Sequence, residues 1–277
     1  GSMFEGGSHD FKTYSLRSNI DAQVNKYVKV GFEINAGLDN GNYPPLSSGG
    51  AAAFLYQLIP AVPTLPVFWE NGLPSPGFVG ANPRVLATDA PGNQNERALR
   101  FQGRANFDIS NPWIEGLGVD GFAVFNNNNG LTKLWEKPAF VYNYDAANDT
   151  YIRQAALFTP GSPTLSQSYS NSRNYLLNLR IKYAKKFGDH DVNVFVAAEQ
   201  QEGYATGFSA RRQNFATPAI DELFAGSPVN QTNSGSSSET ARQNLFGRFS
   251  YGFKEKYLAD FNFRYDGSAN FPRGKRF

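Results

Sequence analysis

Residues 245–271 read LFGRFSYGFKEKYLADFNFRYDGSANF, two runs of strict alternation joined by a short polar turn. In the first run Leu245, Phe249, Tyr251 and Phe253 share one face, and Phe246, Arg248 and Ser250 share the other. In the second, Tyr257, Ala259, Phe261, Phe263 and Tyr265 oppose Asp260, Asn262, Arg264 and Asp266. Side chains alternate across a strand, so the pair forms a ribbon with one aromatic, uncharged surface and one surface carrying arginine beside aspartate. A soluble sandwich shows such a pattern in places. A membrane β-barrel shows it on strand after strand, apolar residues toward lipid and polar residues toward the lumen.

The pattern recurs. Tyr14, Leu16, Ile20, Ala22 and Val24 oppose Arg17, Asn19, Asp21 and Gln23, and Val28 to Leu38 at every second position oppose Lys29, Glu33 and Asn35. Leu99, Phe101, Ala105, Phe107 and Ile109 oppose Arg100, Gln102, Arg104, Asn106 and Asp108. Tyr175, Leu177, Leu179, Ile181 and Tyr183 oppose Asn178, Arg180 and Lys182, and Val192, Val194, Val196 and Ala198 oppose Asp191, Asn193 and Glu199. Two irregularities stand out: Phe195 falls on a polar face, and Phe122 and Val124 share a face with Asp120. The runs outlast the five or six residues usual for a globular strand and match the roughly 9–11 that a tilted membrane strand needs. Register is tightly specified, because a one-residue slip would drive the arginines into lipid at about 2–4 kcal/mol each near the midplane. The fold class expected is all-β: eight strands of an antiparallel transmembrane barrel, at about 12–25, 26–39, 96–110, 116–127, 173–187, 190–202, 239–253 and 256–269.

Composition fits this reading. The 277 residues carry a net charge of only +2, with basic residues spread singly along strands, so no nucleic-acid-binding stripe is present. The absence of cysteine removes disulfides and thiolate metal sites. His9 and His190 are isolated at a strand start and a turn, and neither suggests a metal site. Mean hydropathy is negative, as it must be where half of every strand faces water, and no apolar run is long enough for a membrane helix.

Connections alternate strictly between short and long. Asn25-Lys26, 111–116, 188–190 and 254–256 are short, whereas 39–96, 127–174 and 201–241 are long. Short periplasmic turns and long extracellular loops distinguish outer-membrane barrels. Tyr27, Phe107, Trp113, Phe187, Phe253 and Tyr257 gather in or beside the short turns, as expected of an interfacial aromatic girdle. Within the long loops, residues 50–59 (GAAAFLYQLI) read as a short helix stopped by prolines. Leu131 to Tyr144 and Tyr151 to Phe158 read as a loop hairpin around 146–149, 218–225 as a helical turn, and 229–240 as a mobile serine- and asparagine-rich stretch.

The segment KYLADFNFRYDGSANF (256–271) resembles a barrel signature of the SusC/RagA family of TonB-dependent outer-membrane transporters. The opening YSLRSNIDAQVNKYVKVGFEINAG (14–37) and the proline-rich PAVPTLPVFWENG (60–72) resemble other segments of the same family. The resemblance implies a plugged barrel of about 22 strands, of which residues 1–277 supply a part. The plug, TonB box, signal peptide and C-terminal strands are then expected outside this stretch. It further implies uptake of oligosaccharides or peptides, a SusD-like surface lipoprotein as lid, and the TonB–ExbB–ExbD complex as energy source.

No catalytic constellation is legible. Paired acids such as Asp145 and Asp149 lie in turns, where aspartate serves local hydrogen bonding, and no Gly-x-Ser-x-Gly elbow precedes a helix. The chain is read as a non-enzyme without cofactor or metal. Phe68, Trp69, Trp135, Tyr142, Tyr144 and Tyr204 fall in expected extracellular loops and are the candidate substrate-binding side chains, because aromatic faces stack on sugar rings and apolar groups. The competing role is packing the loops together or meeting the lid. Arg17, Asp21, Arg100, Arg104, Asp108, Arg180, Arg248, Asp260 and Arg264 are the candidate lumen- or plug-facing set. Two other classes stay open: a passive porin or structural outer-membrane barrel, and a soluble extracellular glycan-binding β-protein.

Overall fold

The computed structural model describes residues 9–45, 59, 64–78 and 80–276. Eight long strands form one antiparallel sheet: β1 (Asp10–Asn25), β2 (Val28–Tyr43), β3 (Gly92–Ser110), β4 (Leu117–Glu136), β7 (Thr164–Phe187), β8 (His190–Gln213), β9 (Thr232–Phe253) and β10 (Tyr257–Ser268). They pair in chain order, interrupted only by a hairpin, β5 (Phe140–Asp145) and β6 (Thr150–Ala155), that forms its own two-stranded sheet. Meander order puts every short turn at one end and every long connection at the other. No helix among the described residues is long and apolar enough to cross a membrane, which says nothing about strands.

The short turns are built by their own residues. Asn25 Oδ1 accepts from the N–H groups of Tyr27 (2.8 Å) and Val28 (3.1 Å), and Asn111 Oδ1 accepts from those of Trp113 and Ile114 (both 2.8 Å), the local bonding that makes asparagine a turn residue. Gly116 has φ +87°, and a Cβ there would lie 2.2 Å from the Ala184 carbonyl oxygen, so only glycine fits.

The eight strands sit where the alternation puts them, but all except β10 run further on the loop side, β1 from Asp10 and β2 to Tyr43 among them. β3 starts at Gly92, β4 reaches Glu136, β7 starts at Thr164, β8 reaches Gln213 and β9 starts at Thr232. Residues 232–240, expected as a mobile stretch, are paired strand against β8. Leu131–Glu136, expected in a loop hairpin, completes β4, and that hairpin begins at Phe140. The reason is the solvent. Beyond the apolar band both faces of the wall are wet, so the two-residue hydrophobic period disappears while backbone pairing continues. The helical turn expected at 218–225 is a single 3₁₀ turn, Leu223–Ala225. The helix expected at 50–59 lies outside the described residues, apart from an exposed Ile59. A one-turn helix, α1 (Pro83–Leu86), had no strong sequence signal.

The apolar face carries the information that decides where this sheet belongs. Ile20, Ile181 and Phe261 are 59%, 55% and 63% exposed, in a continuous surface of such residues over all eight strands, far beyond a solvent-facing patch of a few hundred Å². Its loop-side edge is Tyr14, Leu38, Leu99, Phe125, Tyr175, Ala198, Leu245 and Tyr265 in strand order. In the pairing register this edge steps by four residues from β3 to β4, where Leu99 pairs Asn129, and by four more from β7 to β8, where Tyr175 pairs Glu202. At about 3.3 Å per residue and 4.8 Å per strand, that drift corresponds to strands tilted by roughly 40°, within the range of transmembrane barrels. On β10 the band runs from Tyr257 to Tyr265. At that tilt it is about 22 Å tall, close to the roughly 25 Å apolar belt of outer-membrane barrels.

Candidate functional site

The polar face of the sheet carries charged side chains, many of them paired across strands. Arg17, Asp21, Arg100, Arg104, Asp108, Arg180, Arg248, Asp260 and Arg264 all share it, as the register shows. Across β4 and β7, Arg180 grips Asp120 through two parallel bonds, Nε to Oδ1 and Nη2 to Oδ2, each 3.0 Å. Lys182 reaches Asp120 at 2.9 Å and also contacts Asp108 on β3, so three strands are tied by one chain of ions. Arg248 pairs with Asp260, which also accepts from Ser250 (2.8 Å) and Asn262 (2.9 Å), and Arg100 pairs with Asp39 at 2.7 Å. Gly31 makes room on this face, since a Cβ there would meet Asn106 Oδ1 at 2.1 Å. These side chains are partly exposed, and such pairs contribute about 0.2–1 kcal/mol each; their larger effect is to fix which groups point inward.

The two irregularities of the sequence find their reason here. Phe122 lies under the Arg104 guanidinium at 4.7 Å, Phe195 under Arg180 at 5.4 Å, and Phe246 under Arg264 at 5.8 Å. Each inward phenylalanine is a platform for an arginine on the adjacent strand. Arg104 Nε and Asn106 Oδ1 are buried on this face with no hydrogen-bond partner among the described residues.

The loop-side end carries a second cluster. Residues 64–78 and 80–91 fold against the β5–β6 hairpin. Asn82 caps α1, accepting from Arg84 N–H at 2.9 Å, while its amide donates to the carbonyls of Val67 (2.8 Å) and Ser75 (2.9 Å). Val85 then packs with Ala139, Val141 and Ala156. On this base, Trp69, Tyr144 and Tyr151 form a three-ring group, with centroids 6.0 Å apart from tryptophan to each tyrosine and 5.2 Å between the tyrosines. Trp69 Nε1 donates to the Tyr142 carbonyl at 2.6 Å. A hydrogen bond to Asp149 pushes the Tyr144 hydroxyl up from its ordinary pKa, and bonds from the Asn148 amide and the Ala147 N–H hold the Asp145 carboxyl below its usual range. Phe68 is bridged to Pro74 nearby and half-exposed.

Of the six aromatic candidates, Phe68, Trp69, Tyr142 and Tyr144 thus come together. Two do not lie in loops. Trp135 is on β4, 5% exposed, with its ring edge-on to Phe215 at 4.7 Å and against Leu165. Tyr204 is on β8, on the outer face, stacked under Arg173 at 4.9 Å. Both were misplaced because their strands outlast the apolar alternation. Tyr151 was missed, although its place across the hairpin from Tyr144 follows from the turn at 146–149. Asp120 and Lys182 were missed as members of the ion network because Asp120 sits in the strand with the weakest alternation. Among the described residues no group of three or more histidines or carboxylates is placed to hold a metal.

Fold and faces together define a section of a transmembrane-type β-barrel wall with a lipid-side belt and a charged inner surface. No protein-family model matches the chain. It is similar to TonB-dependent receptor P3 of Formosa agariphila, 24% identical over 97% of this chain and 26% of that protein. Among solved structures it is similar to the RagAB peptide importer in its closed-closed state (TM-score 0.73, 18% identical, 97% of this chain and 29% of that one). The open-open state gives a TM-score of 0.71 at 18% identity, over 97% and 28% of the two chains. The chain therefore spans about a quarter of the relatives it matches. The resemblance to SusC/RagA-type TonB-dependent transporters read from residues 256–271 is borne out, and the fold is that of part of their barrel.

Proposed function

We propose that this chain is part of the barrel wall of a bacterial outer-membrane importer, driven by TonB–ExbB–ExbD, that takes up oligosaccharides or peptides under a SusD-like surface lipoprotein. The observation that carries the reading is the tilted apolar belt backed by an inner surface of charged side chains, many of them paired. A charged inner surface suits a barrel that holds a plug; charged rings also line open pores, so the dependence of uptake on TonB separates the two. The names of the relatives, a TonB-dependent receptor and a peptide importer, support the same class. On this reading the inner arginines and carboxylates contact the plug, and the Trp69–Tyr144–Tyr151 group with Phe68 and Tyr142 meets substrate or lid.

The test is uptake by cells carrying or lacking the full-length gene, with labelled oligosaccharides and peptides offered in parallel. Uptake of one of them is expected to require the gene and to stop when TonB is deleted. Gene-dependent uptake that persists without TonB would instead identify a passive porin. Orientation has its own test in intact cells. Single cysteines at Asn148 and Asn230 are expected to react with a membrane-impermeant maleimide, and cysteines at Lys26 and Glu255 only after the outer membrane is broken. Equal labelling of the two sets would overturn the assignment of long loops to the outside.

A further inference from the structure

The outer face changes chemistry in one step at the loop-side edge of the apolar belt. The first outward residue past that edge is a cation on three strands: Lys12 on β1, Arg97 on β3 and Arg173 on β7. On β2, β4, β8 and β9 it is an amide side chain, on β10 a glycine, and among these described strands never a carboxylate. Lys12 is already compensated by Asp10 at 2.7 Å. Arg97 and Arg173 are exposed and have no ion-pair partner among the described residues. The Tyr204 ring holds the Arg173 guanidinium against the wall. The opposite rim is different. There Lys185 pairs with Glu115 at 3.0 Å, Lys186 with Glu255 at 2.8 Å and Lys254 with Asp189 at 3.7 Å.

Exposed arginines directly above lipid-facing Leu99 and Tyr175, with amides between them, match a layer of anionic oxygens at headgroup depth. Guanidinium groups bind phosphate through paired N–H donors, and arginine is better suited to this than lysine. On the proposed reading of this sheet as a membrane barrel wall, we propose that Arg97 and Arg173 bind the phosphate groups of lipid headgroups in the loop-side leaflet. One strand, β4, separates them, and the four-residue register offset between Arg97 and Arg173 places them about 16 Å apart. Each is therefore placed to engage its own phosphate, whereas the cations of the turn-side rim are lysines, among them Lys26 and Lys256, which have no ion-pair partner among the described residues and lie over the rings of Tyr27 and Tyr257.

The experiment uses the full-length protein in detergent, with bound lipid counted by native mass spectrometry. The probes are lipid A bearing its phosphates, the same lipid dephosphorylated, and inorganic phosphate alone. Wild type is expected to retain the phosphorylated lipid about tenfold better than Arg97→Gln/Arg173→Gln, a change of about 1.4 kcal/mol. Arg97→Lys/Arg173→Lys is expected to keep most of the binding, and the dephosphorylated lipid to bind wild type and the glutamine variant alike. All variants should retain the heat-resistant electrophoretic mobility of a folded barrel, which separates lost binding from lost folding. Equal retention of the phosphorylated lipid by the glutamine variant would overturn the proposal, as would inorganic phosphate binding as tightly as the lipid. A wild-type protein that never enters a bilayer would overturn the barrel reading, and this inference with it.

Discussion

Phe261→Arg in the full-length protein is expected to lower stability by about 2–4 kcal/mol, and Asn262→Arg by much less. The two positions are adjacent in sequence but occupy opposite faces. Phe261 sits at the middle of the apolar stretch of β10 and pairs Phe249 on the lipid side, so an arginine there lies near the midplane, where snorkelling to either interface is hardest. Asn262 faces inward, donates to Asp260 and pairs Arg248. An arginine at 262 gains a carboxylate neighbour in a solvated lumen, with repulsion from Arg248 as the offset. Urea unfolding in lipid vesicles, followed by electrophoretic mobility, measures the difference. Equal sensitivity at the two positions would mean that the faces of β10 are wrongly assigned.

Trp135→Ala is expected to be the most damaging of the aromatic substitutions, at about 3–5 kcal/mol for a buried tryptophan. Its effect should be local. Trp135, Leu165 and Phe215 form the patch on which residues 214–231 rest, with Leu223 and Ala225 packed against it. Lys133 adds ion pairs to Asp221 and Glu222, each at 3.1 Å, and Arg212 Nη1 donates to the Gly226 carbonyl at 3.1 Å. Removing the indole leaves that segment held by these polar contacts and a reduced apolar patch. Limited proteolysis should then cut within 214–231 while the sheet keeps its heat-resistant mobility. Tyr144→Ala, at a half-exposed ring of the other cluster, should leave cleavage unchanged. If Trp135→Ala altered ligand uptake with no change in cleavage, a binding role for this residue would replace the packing role.

The two substitutions mark the division between what was legible in the chain and what was not. Phe261 and Asn262 could be assigned to faces from sequence, because inside a bilayer the two sides of a strand have different solvents and every residue reports which one it meets. For the same reason, the eight strands, their register-setting arginines and the four short turns followed from the two-residue period. Trp135 and Tyr204 could not be placed in that way. They lie where the wall rises out of the apolar belt, and there Ser, Asn, Thr and Gly occupy both faces. The hydrophobic alternation stops although hydrogen-bonded pairing continues, so strand and loop look alike to a reader of residues.

The sequence by itself determined the class of fold, the sidedness of each strand and the set of charges on the inner face, since all three rest on the local alternation of adjacent side chains. Only the tertiary structure decided which charges meet: Asp120 with Arg180 and Lys182, and Asp108 with Lys182 across three strands. It also decided that the inward phenylalanines lie under arginines and that Trp69, Tyr144 and Tyr151 converge. The tilt of the belt was likewise a tertiary fact. Each of these depends on the offset between neighbouring strands, which comes from long-range backbone pairing and the close approach of residues such as Gly31 and Asn106. No period within a single strand records that offset.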